Sequence, residues 1–135
     1  MRYNLFALLL MTALIVAIAG CTSPAALPPQ DAMGAANATA DSMFPALNSG
    51  EYVVFSQNFS PPMKAAMNES SFNKMIGTVA GQYGKYESRS ATPSASVVGD
   101  YNVFVYQCQF EKAKLNLQLT MNKTDVYRVE GFFYR

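Results

Sequence analysis

Apolar residues recur at three- and four-residue steps before Gly84 and at every second residue after it, so the chain predicts helices first and a sheet second. The first helix starts near Asp31, with Met33, Ala36, Ala40, Phe44 and Leu47 on one face and Pro45 disturbing its last turn. Asn48-Ser49-Gly50 breaks it, and Tyr52, Val53 and Phe55 form a short second helix. Ser60 followed by Pro61-Pro62 predicts a capped start with proline in the first turn, leading into Met63, Ala66 and Met67. The clearest helix is capped by Ser70 or Ser71, puts Phe72, Met75, Ile76, Val79 and Tyr83 on one face, and closes on Gly84 as a left-handed cap. Gly77 and Gly81 inside it cost about 1 kcal/mol each relative to alanine, which predicts a closely packed neighbour.

After Gly84, residues 85–90 read as a first, polar strand, followed by a loop over 91–96 that contains Pro93. Residues 101–110 sort into two faces, with Phe104, Tyr106, Cys108 and Phe110 opposite Tyr101, Val103, Val105, Gln107 and Gln109. The third strand alternates strictly, Leu115, Leu117, Leu119 and Met121 against Lys114, Asn116, Gln118 and Thr120, as a sheet with one buried face requires. The last strand puts Tyr127, Val129, Gly131 and Phe133 on one side and Arg128, Glu130, Phe132 and Tyr134 on the other. The expectation is an α+β fold, with N-terminal helices packed on a four-stranded antiparallel sheet.

The start of the chain changes the picture. Arg2 precedes an apolar run from Leu5 to Ala19 that ends in Ile18-Ala19-Gly20-Cys21, the pattern of a secretory signal with a small-residue cleavage site. Cysteine directly after Ala19-Gly20 resembles the lipobox of prokaryotic lipoproteins, whose cysteine sulfur receives a diacylglyceryl group. The alternative, a membrane-spanning anchor, needs roughly 20 apolar residues, and this run stops short. The expected organisation is a signal peptide over 1–20, lipidation at Cys21, a flexible tether over 21–30 with Pro24, Pro28 and Pro29, and one domain over 31–135. The expected location is the extracytoplasmic face of a cell membrane, held there by the lipid.

Charge and residue types then narrow the chemistry. Without Arg2 the ten basic and nine acidic side chains come into balance, so no electrostatic term attracts nucleic acid. The chain has no histidine and two cysteines. That excludes histidine acid–base chemistry, removes the usual zinc ligands, and implies no cofactor. With Cys21 acylated no intrachain disulfide can form, and Cys108, set among Phe104, Tyr106 and Phe110, reads as a small buried hydrophobe with an inert thiol.

The second sheet face is less ordinary. Tyr101, Val103 and Val105 fall beside Phe132 and Tyr134 in an antiparallel arrangement, and five such residues on a solvated face predict an interaction surface for a second copy or an envelope protein. The opposing expectation is partial cover of that face by the 91–96 loop. Asn37, Asn68 and Asn122 each start an N-glycosylation acceptor pattern, as does Asn58, which Pro61 makes the poorest of the four.

The succession Leu47-Asn48-Ser49-Gly50-Glu51-Tyr52, then Phe59-Ser60 with Met63-Lys64, then Gly81-Gln82-Tyr83-Gly84-Lys85-Tyr86, then Val129-Glu130-Gly131-Phe132-Phe133 resembles a small prokaryotic lipoprotein domain family. That family is similar to the nuclear transport factor 2-like and cystatin-like superfamily of α+β cones. The resemblance implies a cone-like fold over roughly 31–135 and a secreted or lipid-anchored protein, with no established activity. Enzymes of the superfamily place an acidic base and a tyrosine donor in the cone mouth, for which this chain offers Glu130, Asp100 and Glu87 with Tyr83, Tyr106 and Tyr127. Fold kinship transfers no activity. The expected role is therefore non-enzymatic binding, of a small apolar ligand in the cone or of a protein on the outer sheet face. The alternative is a cofactor-free enzyme using a buried carboxylate and a tyrosine.

Overall fold

The computed structural model describes residues 25–124 and 126–135, so the leader, Cys21 and the start of the tether lie outside the described residues. Among the described residues five helices precede five strands: α1 (Gln30–Met43), α2 (Ala46–Ser49), α3 (Tyr52–Phe55), α4 (Pro61–Ala66), α5 (Glu69–Tyr83), β1 (Tyr86–Arg89), β2 (Ser94–Val98), β3 (Tyr101–Phe110), β4 (Lys114–Asn122) and β5 (Val129–Tyr134). No helix among the described residues is long and apolar enough to cross a membrane. The α+β class stands, with one more strand than the expected four.

Pro45 splits the expected first helix in two. It lacks an N–H, so the ladder stops after Phe44 N–H donates to the Ala40 carbonyl, and the chain re-forms as α2. Ser60 caps α4 as its sequence predicts, its hydroxyl oxygen accepting from Met63 N–H at 3.2 Å. The cap of α5 is not Ser70 or Ser71 but Asn68, whose Oδ1 accepts from Ser71 N–H at 3.0 Å. Gly77 and Gly81 face solvent with nothing within 4 Å of the place a Cβ would take, so they accommodate no neighbour. Gly77→Ala with Gly81→Ala is therefore expected to stabilise the fold by about 1 kcal/mol per site or slightly less. A lowered urea midpoint in that double variant would overturn this view of the α5 surface.

The sheet runs in the order β1-β3-β4-β5, with β2 also paired to β3 and every pairing antiparallel. β1 pairs with residues 108–110 of β3 and β2 with residues 101–105, so the two lie end to end along one edge. They form a single edge strand broken at residues 90–93. The expected loop over 91–96 thus shrinks to the break, because Ser94–Val98 alternates along β3 and pairs with it. Beside the break Ser90 N–H donates to the Gln107 carbonyl, and the Ser90 hydroxyl accepts from Gln107 N–H, replacing a backbone partner.

The other edge carries a bulge. Thr120 pairs with Gly131 and the adjacent Met121 with Val129, which leaves Glu130 as an extra residue in β5. Strict alternation would put Val129 and Phe133 on one face. The bulge resets the parity, so Val129 and Phe132 both enter the core and Phe133 points out. Phe132 and Tyr134 therefore pair with Leu119 and Leu117 on the core side and do not belong to the outer face expected of them.

One hydrophobic core lies between the helices and the inner sheet face. Alanines 32, 36 and 40 of α1 are fully buried, so the helix presents small side chains to the core, while the inner rows of β3 and β4 contribute Phe104, Tyr106, Phe110, Leu117, Leu119 and Met121. Aromatic rings tie the layers together. Phe44 meets Tyr106 edge-on at 5.5 Å and Tyr86 at 5.9 Å, while Phe55 sits 4.5 Å from Phe72 and 5.5 Å from Phe132.

Candidate functional site

Among the described residues, no helix packs on the opposite face of the sheet. Register places rows of outward side chains across it: Ser94, Val105, Gln118 and Phe133 in one row, Ser96, Val103, Thr120 and Gly131 in the next, and Val98, Tyr101 and Asn122 at the end. Tyr101, Val103 and Val105 thus lie on the face expected of them, and Phe133, 60% exposed, takes the place assigned to Phe132. A groove of about 340 Å³ opens at the break in the edge strand, lined by Ser90, Thr92, Ser94, Val105, Gln107 and Asn116. Its polar lining is hydroxyl and carboxamide, neutral at any physiological pH. A second depression continues past Ser90 and Gln107 to Arg89, Gln109 and Lys114. Residues 94–96 pair alongside β3 instead of folding over the face, so they do not form the expected cover.

The interior offers less room. An apolar crevice lined by Leu47, Val79, Phe110, Leu115, Leu117, Phe132 and Tyr134 is too narrow to admit a water molecule. The enzyme ingredients do not converge around it. Asp100 stands in the exposed β2–β3 turn and Glu87 is exposed at the irregular start of β1. Glu130 does not pair with Arg128 as a solvated strand residue would. The bulge turns it so that its carboxylate accepts from the Ser60 hydroxyl at 2.6 Å and from Asn122 Nδ2 at 3.1 Å. Ser60 is buried and occupied as the cap of α4, so the pair fastens β5 to the helices.

The tyrosines are also engaged. Tyr106 is buried and its hydroxyl donates to Asn37 Oδ1 at 3.0 Å, while Tyr127 donates to Asp31 Oδ2 at 2.6 Å and holds that exposed carboxyl below its ordinary pKa. Arg89 was hidden in a polar stretch of sequence. It pairs with Asp41 at 2.8 Å and stacks 5.0 Å from the Tyr106 ring, clamping β1 to α1. Two of the glycosylation candidates are tied into the fold by these contacts: Asn37 through Tyr106, and Asn122 through Glu130, Thr124 and Arg128. Asn68 is exposed beside its capping role.

Cys108 is buried, as its aromatic neighbours predict. Burial pushes its thiol up to about 12, outweighing Arg89, which pairs across the ladder with Cys108 and favours the thiolate. Burial likewise raises Tyr86 to about 12 and lifts Tyr106 above the ordinary phenol range. Groups held protonated by the fold contribute stability that is fully present below their unfolded pKa values and is lost as pH rises through the folded ones. The urea midpoint is therefore expected to hold between pH 7 and 8 and to fall above about pH 9, less steeply in Cys108→Ala. At pH 8 the native thiol should react with a disulfide reagent roughly a thousand-fold more slowly than the denatured chain. Equal rates would place Cys108 outside the core.

Neither a curated protein nor a solved structure matches this chain. One family profile does, over residues 40–126, from the second half of α1 to the turn after β4, and so over most of the elements that form the groove and its sheet. That match covers well over half of the sequence, and the chain belongs to the DUF3887 family, whose description is a protein of unknown function.

Proposed function

We propose that this protein is a lipid-anchored, extracytoplasmic binding module, non-enzymatic, that engages a protein partner of the cell envelope on the uncovered face of its sheet. The anchor is Cys21, and the support for it is the Leu5–Ala19 apolar run ending in Ile18-Ala19-Gly20-Cys21. The cone-like kinship with the nuclear transport factor 2-like superfamily rests on the resemblance in sequence and on the helices-then-sheet order. The observation that carries the binding role is the outer face, which no described helix covers and where Val103, Val105 and Phe133 stand among hydroxyls and carboxamides beside a neutral 340 Å³ groove. Apolar side chains interspersed with neutral polar ones are the make-up of a protein contact surface. The apolar crevice between helices and sheet, too narrow for water, speaks against a ligand held there, and the dispersed carboxylates Glu87, Asp100 and Glu130 speak against the enzyme.

The test is photo-crosslinking in the native host from a reactive residue at Val105, with Lys74 on the exposed side of α5 as control. A defined adduct from position 105 and none from 74 supports the reading. The mass of the adduct separates a second copy from an envelope protein. Crosslinks from neither position, or from both alike, would remove the outer face as the contact surface.

A further inference from the structure

The stretch before α1 is stitched to the sheet: the Ala26 carbonyl accepts from Val97 N–H at 3.0 Å, on the free edge of β2. Five peptide steps separate Cys21 from Ala26, a reach of at most about 18 Å even when fully extended. The end of the sheet next to Val97 therefore stays close to wherever the Cys21 sulfur is held.

The exposed apolar side chains gather at that same end. Leu27 is 76% exposed, Val98 59%, Tyr101 44% and Val126 66%, whereas Val53 and Phe133 are the exposed large apolar residues elsewhere among those described. Val98 and Tyr101 flank the β2–β3 turn, Val126 lies in the turn after β4, and Lys123 Nζ donates to the Gly99 carbonyl at 2.6 Å, locking the two turns together. Tyr127, in the same turn as Val126, bonds Asp31 at the start of α1, next to the Leu27 segment. Lys123 offsets one of the acidic residues at this end, Asp31 and Asp100, with Asp125 next to Val126 in sequence, so a small negative charge remains and contact with a zwitterionic bilayer depends on the apolar side chains.

We infer that this end of the domain, Leu27, Val98, Tyr101 and Val126, rests on the bilayer that receives the Cys21 lipid. The inference depends on the lipid anchor proposed above. A short tether holds the patch near the headgroups at a high effective concentration, so even a weak contact is populated. Tyrosine and small aliphatic side chains suit the headgroup boundary, where one end of the ring is wet and the other apolar. The polar groove, at the break opposite residues 106–107 of β3, is then held off the membrane and open to a partner.

The chain contains no tryptophan, so a single one reports depth directly. The test uses the full chain purified from its own membrane and reconstituted in phosphatidylcholine vesicles, with Tyr101→Trp, Val126→Trp and, at the far end of the sheet about 30 Å away, Lys112→Trp. Brominated phosphatidylcholine should quench at least half the emission of Tyr101→Trp and Val126→Trp and leave Lys112→Trp unchanged, with no relief from added salt. Adding Val98→Asp and Leu27→Asp should abolish quenching of Tyr101→Trp while the chain still floats with the vesicles; circular dichroism confirms that each variant folds.

Flotation without quenching at positions 101 and 126 overturns the inference and leaves the anchor standing. A chain whose intact mass lacks the diacylglyceryl group and which does not float overturns the anchor, and this inference with it.

Discussion

Phe44→Ala is expected to cost about 3–5 kcal/mol, a large part of what holds a domain of this size together. Phe44 is fully buried at the joint between α1 and α2, edge-on to Tyr86 and Tyr106 and 6.4 Å from Phe132. Truncation would remove contacts to β1, β3 and β5 at once, and the surrounding rings are too stiff to close the gap. The midpoint of thermal unfolding should fall on the order of 15 °C, while Val53→Ala, at a site 79% exposed, should stay within about 0.5 kcal/mol of the parent. Urea unfolding followed by far-UV circular dichroism reads both. Equal midpoints for the two variants would show that the helical layer is not held through Phe44.

Gly84→Ala is the second large effect, for reasons of backbone and space together. Gly84 follows α5 with φ 78° and ψ −160°, which is not the left-handed cap expected from the sequence but an extended conformation essentially confined to glycine. A Cβ there would stand 2.5 Å from Glu111 Oε2 and 2.8 Å from Glu111 Cβ. The same Glu111 Oε2 accepts from Lys85 N–H at 2.8 Å, so moving it breaks the contact that starts β1. Strain of about 1–3 kcal/mol and a lost hydrogen bond of about 1 kcal/mol add to a cost of roughly 2–4 kcal/mol. Gly84→Ala combined with Glu111→Gly should recover only the steric part. Full recovery would mean that the backbone at residue 84 is unstrained.

Much of the fold was legible because burial on one face writes a period into the sequence. β3 and β4 read correctly residue by residue, and so did the Ser60 cap and the buried setting of Cys108. What escaped was whatever depends on a single inserted or misdirected residue. The bulge at Glu130 leaves no mark in composition, yet it sends Phe132 inward and Phe133 outward and so redraws the candidate face. β2 was mistaken for loop because Pro93 and three nearby serines and threonines look like turn chemistry, whereas pairing to β3 overrides that preference. Arg89 was unreadable because its partners, Asp41 and the Tyr106 ring, are distant in sequence. The groove could not be seen either, since it exists only where an edge strand is interrupted.

Both margins of the sheet are discontinuous, and this bears on how copies of the chain tolerate crowding. One margin is cut between β1 and β2 and partly occupied by Ala26; the other is kinked at Glu130 and bridged by Phe59 at Val129. An incoming strand finds only a few consecutive unclaimed amides on either side, too short a template for ribbon growth. Many molecules can therefore stand side by side at high density without polymerising through their backbones.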